Sequence, residues 1–252
     1  MYLLLIYFLI LIIPLIVMPK HIRLGTLSPY RTVMQATLVT TAAAAIVFMA
    51  ASMAGQGLFA QMKELTDDMA KELAGNPMIA DAFGQASVSE ADRAKMFEQI
   101  YDQTFAVMPA CIMTMGAVVA YIEYMIMAKL MGKRRPVKKL PKFREFSFPH
   151  SAFMGIMGMY LITWILTEMG AFSDNMMYAN INFIFDFAFS IQGLSVVLML
   201  CYAKRLPKAL GIVAAVILWM TFIGKMLLVI LGMMDLIFNI KERLLNINGR
   251  VR

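Results

Sequence analysis

Six stretches of this chain, approximately 2–18, 32–54, 104–130, 151–170, 178–203 and 209–238, stay apolar for about the length that crosses a bilayer. A helix rising about 1.5 Å per residue needs about 20 such residues to traverse a hydrocarbon core about 30 Å thick. Within that core the backbone must satisfy its own hydrogen bonds, so each stretch is expected as a helix. The pattern predicts an all-α, polytopic transmembrane helical bundle forming a single integral membrane domain over 1–252. Composition agrees, since 61% of the 252 residues are apolar and 15% charged, against about 45–50% and about 25% in ordinary soluble domains.

The formal net charge of +7 is first a topology signal in such a chain, so nucleic-acid binding is not expected. The loop at 54–103 carries nine acidic and four basic residues and belongs outside, whereas 129–150 carries eight basic residues against Glu145 alone and belongs inside. Lys20, His21, Arg23 and Arg31 place 19–31 inside as well, and the absence of a basic leader region or cleavage pattern argues against a signal peptide. Six crossings then put the C-terminus outside, although Lys241, Arg243, Arg250 and Arg252 make it basic. The expected location is a membrane crossed several times, with the basic loops on its cytoplasmic side.

The outer loop reads as two helices. Leu58, Met62, Leu65, Met69 and Leu73 form an amphipathic stripe that Gly75-Asn76-Pro77 ends. Ser89 and Asp92 have capping-box spacing, and Met96, Phe97, Ile100 and Tyr101 continue an apolar side toward the third span. The inner segment mixes Lys133, Arg134, Arg135, Lys138, Lys139 and Arg144 with Phe143, Phe146 and Phe148. Those cations and rings suit contact with anionic lipid headgroups or a cytoplasmic partner. In the second span Thr41, Ala42 to Ala45, Ala50, Ala51, Ala54 and Gly55 suit close helix packing, internally or against another membrane protein.

Ionisable residues inside a span each cost about 2.5–3.5 kcal/mol on insertion scales and usually face a partner or cavity. Glu123 lies in the third span, Asp186 in the fifth and Lys225 in the sixth. Asn182 and Ser190 share a helical face with Asp186, which is expected on the order of 12 Å below the outer boundary. Lys225 is expected at similar depth, as a neutralising partner or as part of a pocket. Asn180, Gln192 and Asp235 extend the candidate ligand-binding set, and Glu168, Asp174 and Asn175 add polarity at the outer ends. A small polar or partly aromatic ligand fits these groups. Cys111 and Cys201 stand apart without CxxC or a neighbouring His, His21 and His150 flank spans, and the 26 methionines are scattered, so neither a metal nor a cofactor is expected. No acid–base pair stands at recognisable spacing, and no enzyme activity is expected.

LPKFREFSFPH at 140–150, the Asn-bearing start of the fifth span running to Gln192-Gly193-Leu194, and Gly232-Met233-Met234-Asp235 resemble the YybS-like bacterial membrane proteins over roughly residues 100–240. That family resembles in turn the substrate-binding S components of energy-coupling factor transporters. The resemblance implies a small-molecule-binding subunit that docks on an ATPase-driven module. Its members usually carry extra helices before the point where this chain begins, so either the Ala-rich second span supplies the docking face, or the chain is truncated, or the protein does not couple to a transporter. The alternative is a non-transport scaffold or regulator acting through the basic inner segment.

Overall fold

The computed structural model describes residues 2–25, 27–53, 58–82, 88–132, 137–171 and 176–249, and over these it is all-α with no strand. It divides into two compact units, Met1–Lys139 and Leu140–Arg252. Five helices are long and apolar enough to cross a membrane, or six if one bent pair is a single span.

The first unit holds α1 (Tyr2–Leu24), α2 (Pro29–Met53), α3 (Leu58–Gly75), α4 (Pro77–Ala82), α5 (Glu90–Ala106) and α6 (Met108–Met131). The first span was expected to end at 18, but α1 continues through Pro14 and Pro19 and carries His21 and Arg23 in its last turn, where cations suit the helix dipole. Helices α1, α2 and α6 pack around Ile6, Ile10 and Ala44, with Val47, Phe48, Ile112 and Val119 against them. On α2 the buried residues Thr32, Ala36, Thr40 and Ala44 recur every four positions, one stripe of a helix. The Thr40 hydroxyl donates to the Ala36 carbonyl at 2.8 Å, which satisfies it without a partner from another helix. Ala42, Ala45 and Ala50 are exposed, while Ala54 and Gly55 lie outside the described residues.

The buried face of α3 differs from the expected stripe. Leu65 is 61% exposed and Met69 42%, whereas Thr66, Ala70 and Ala74 are buried. The buried face is thus rotated by one residue, because small side chains admit α5 at close range where leucine would hold it away. Ser89 does cap α5, its hydroxyl accepting from the Asp92 amide at 3.2 Å and donating to the Asp92 carboxylate at 2.6 Å. Arg93 ties the pair together, since Nε and Nη2 donate to the Ala74 carbonyl at 3.0 and 2.8 Å. No residue of α5 is buried; of its apolar side Phe97 and Tyr101 are half-buried, and Met96 and Ile100 are exposed.

The second unit holds α7 (His150–Glu168), α8 (Met176–Ala203), α9 (Lys208–Met220), α10 (Phe222–Phe238) and α11 (Ile240–Gly249). Helix α8 is its central column, touched by the other four. Phe153, Phe185, Phe189 and Leu236 form the core, with Phe148 and Tyr160 packed on it. Phe153 meets Phe189 edge-on at 5.7 Å and Phe185 lies 4.5 Å from Phe189, contacts that add about 0.5–1.5 kcal/mol each. Gly193 and Gly232 let α8 and α10 touch backbone to backbone: a Cβ on Gly193 would overlap the Leu228 carbonyl, and one on Gly232 the Phe189 carbonyl.

The apolar run 209–238, expected as one span, is two helices bent by 109°. Thr221 is extended (φ −95°, ψ 140°) and its hydroxyl donates back to the Ile217 carbonyl at 3.0 Å. Gly224 then passes so close to Leu218 that a Cβ would collide with that residue's backbone. A tight corner in an unbroken apolar run is invisible to hydropathy.

Candidate functional site

The segment before α7 is not a loose basic loop. Phe143–Glu145 form one 3-10 turn packed on α8, and the backbone at Phe146 and Phe148 bonds to Ser195 and Gln192 of α8. Phe148 joins the aromatic core and meets Phe146 edge-on at 4.9 Å. These rings are half-buried against the protein because buried polar groups on α8 and α11 capture the adjoining backbone.

Gln192, Ser195, Asp235 and Lys241 are that set, all buried. The Phe148 amide donates to Gln192 Oε1 at 3.2 Å, and Gln192 Nε2 donates to Ser147 Oγ at 3.2 Å and to Asp235 Oδ2 at 2.6 Å. Asp235 Oδ1 accepts the Lys241 amide at 3.0 Å, and its Oδ2 lies 3.1 Å from Lys241 Nζ. The same ammonium donates to Ser195 Oγ at 2.8 Å and to the Phe146 carbonyl. Asn239, at φ 50° and ψ 49°, ends α10 with a left-handed turn that brings Lys241 back under Asp235. Burial pushes the Lys241 ammonium below the ordinary lysine value, while the charge and hydrogen bond of Asp235 act in the opposite sense. The network is saturated: each polar atom has a protein partner, and it fastens the chain before α7, the middle of α8 and the start of α11 at one point.

A second polar group lies toward the start of α8. The Tyr160 and Tyr178 hydroxyls are 3.1 Å apart, and the Tyr160 ring stacks on Phe185 with centroids 4.4 Å apart. Asp186 is near enough to act electrostatically on Tyr160, and Lys225 on Asp186. Among the described residues Asp186 and Lys225 make no salt bridge to each other, and both are half-buried. This group can offer a ligand an acid, a cation, two phenols and an aromatic wall.

The six residues expected to bind a ligand therefore fall in different places. Asp186 and Lys225 belong to the second group. Asn182 is half-buried on the same α8 face. Asn180 donates to the Met176 carbonyl of its own helix at 2.8 Å. Gln192 and Asp235 are consumed by the saturated network. Of the basic residues, Lys133, Arg134 and Arg135 lie outside the described residues, as do Asp174 and Asn175, whereas Lys138 and Lys139 are exposed. Arg144 turns back onto the protein, its guanidinium 3.5 Å above the Tyr202 ring and Nε 3.4 Å from Glu145. Ser195, Tyr160 and Tyr178 are not singled out by the sequence, and Lys241 stands there only as a charge of the basic tail. The four-residue spacing of Tyr178, Asn182 and Asp186 was the available signal for one of them.

The family model described as "Predicted membrane protein (DUF2232)" matches residues 1–236. The "Uncharacterized protein YybS" of Bacillus subtilis strain 168 is 28% identical over 169 residues, which cover 66% of this chain and 53% of that protein. The chain thus spans about half the length of that curated relative. No solved structure matches.

Proposed function

The chain belongs to the DUF2232 family of predicted membrane proteins, and on that premise we propose that it is the small-molecule-binding membrane subunit of a transport system. The observation that supports this is the half-buried Asp186–Lys225 relationship, two opposite charges inside apolar helices that do not close on each other. Charges at such positions usually serve a substrate or ion path. The ligand this chemistry suits is small, carries both a hydrogen-bond donor and an acceptor or two opposite charges, and has a flat apolar part to lie on Tyr160 and Phe185. The S-component analogy adds an ATPase-driven coupling module as partner and a bacterial cytoplasmic membrane as location, with no catalysis by this chain.

Mass spectrometry of small molecules retained by gently purified protein tests the reading. Asp186→Asn and Lys225→Gln should each strip the retained compound while leaving the emptied protein folded. An unchanged retained profile in both variants would remove the reading.

A scaffold or regulatory role is the second reading, supported by the exposure of Lys138, Lys139 and Lys142 in the basic segment. Recovery with an ATPase module favours the first reading; recovery only with envelope or signalling proteins favours the second.

A further inference from the structure

Between α8 and α9 runs a groove of about 290 Å³, walled by Leu194 and Leu198 on one side and Ile212, Val216 and Trp219 on the other, with Phe143 at its border. Its lining is wholly apolar, and its volume is at the lower limit of about 300 Å³ for small-molecule pockets. It has no polar group with which to orient a metabolite. A hydrocarbon chain needs none.

Cations collect at one end. Gly211 of α9 packs against Cys201 of α8, where an added Cβ would come within 3.3 Å of the Cys201 side chain. That contact fixes the α8–α9 corner, which presents Lys204, Arg205 and Lys208, all exposed. Phe143, at the groove, is flanked by Lys142 and Arg144, and the Arg144 guanidinium lies 3.5 Å above Tyr202, two residues before Lys204. Five cations thus surround this corner, opposed nearby by Glu145. An apolar furrow ending in a basic cluster complements a molecule with a hydrocarbon tail and a phosphate.

We propose that the α8–α9 groove binds one anionic phospholipid, with an acyl chain along Leu198, Val216 and Trp219 and its phosphate at Lys204, Arg205 and Lys208. The site is independent of any ligand at Asp186. It lies at the end of the unit where the basic segment packs, and the leaflet there is the anionic one if that segment is cytoplasmic.

Trp219 lies in the groove and Trp164 on α7 is the other tryptophan of the chain. The protein with Trp164→Phe is reconstituted into vesicles doped with phosphatidylglycerol or phosphatidylcholine brominated on the acyl chain, and Trp219 fluorescence is recorded. The brominated phosphatidylglycerol should occupy the site with a relative affinity on the order of tenfold over the brominated phosphatidylcholine. The triple variant Lys204→Gln, Arg205→Gln, Lys208→Gln changes only exposed side chains and should reduce the preference toward unity. Trp164, read in a Trp219→Phe protein, should show no preference. Equal quenching of Trp219 by both lipids, a preference that survives the triple variant, or no quenching by either lipid overturns the proposal, the last meaning that protein fills the groove.

Discussion

Asp235 holds Lys241 by both ends: Oδ1 accepts the lysine's backbone N–H at 3.0 Å, and Oδ2 stands 3.1 Å from its ammonium. With side-chain exposures of 3% and 8%, neither charge is screened by water, and each depends on the other. Removing one partner of a buried pair costs about 3–5 kcal/mol because the survivor stays charged and dry. Asp235→Ala is therefore expected to lower the unfolding temperature sharply. Asp235→Leu combined with Lys241→Met removes both charges and should be more stable than Asp235→Ala alone. Thermal unfolding in mild detergent measures both, and a double variant no better than the single one would refute a charge-pair account.

The same burial gives a pH signature. Desolvation lowers Lys241 below the ordinary lysine value, so the unfolded chain binds this proton more tightly than the folded one. Stability from this site then rises with pH between the lowered value and the ordinary one near about 10.4. The unfolding temperature of the native protein relative to Lys241→Met should climb as pH is raised from about 7 toward about 10. A flat or falling difference would contradict it.

Gly193 and Gly232 are where α8 and α10 touch through backbone alone. An added methyl there forces the helices apart, and overpacking of this kind costs about 1–3 kcal/mol. Gly193→Ala and Gly232→Ala are expected to destabilise the protein. Gly158→Ala on α7 meets nothing within 4 Å and should be neutral or mildly stabilising, since alanine is the better helix former. Scanning the three by thermal unfolding tests the contrast.

What was legible in the sequence followed the range of the interaction. The Ser89 cap and the end of α3 at Gly75 depend on neighbours three residues away and were readable. Gln192 and Asp235 were visible as polar residues in apolar runs, but their role was not, because it depends on the Phe146 carbonyl and on Lys241, 95 residues apart in the chain. The corner at Thr221 escaped since hydropathy reports apolarity and not direction. The buried face of α3 was misplaced by one residue because the rule weights leucine over alanine, whereas close helix contact favours the smaller side chain.

Arg93 makes a prediction confined to the α3–α5 pair. Its guanidinium also donates through Nη1 to the Val88 carbonyl at 2.8 Å, so one side chain satisfies the end of α3 and the approach to α5. Charged hydrogen bonds of this type contribute about 1.5–3 kcal/mol, with the lower figure fitting a partly exposed residue. Arg93→Ala should speed hydrogen exchange and proteolysis within 58–106 without shifting the exchange of α8. Arg93→Lys should rescue little, because a single ammonium cannot reproduce the fork.

The broken α9–α10 pair changes where the C-terminus is expected. Six straight crossings would leave a basic tail outside, against the charge rule. Helix α9 instead begins at Lys208, just past the C-terminal end of α8, and α10 is followed by Lys241, in the first turn of α11, which bonds to Phe146 in the basic segment. A pair that bends by 109°, starting past the end of α8 and finishing beside its middle, need not cross at all. Re-entrant backbone of this kind is tolerated where it packs on protein, as α9 and α10 do on α8. Lys241 and Arg243 then share a side with the basic segment, and the charge rule is obeyed. A reporter fused after Arg252 should be active as a cytoplasmic fusion and silent as an exported one. The reverse pattern would establish α9–α10 as a bent but complete crossing.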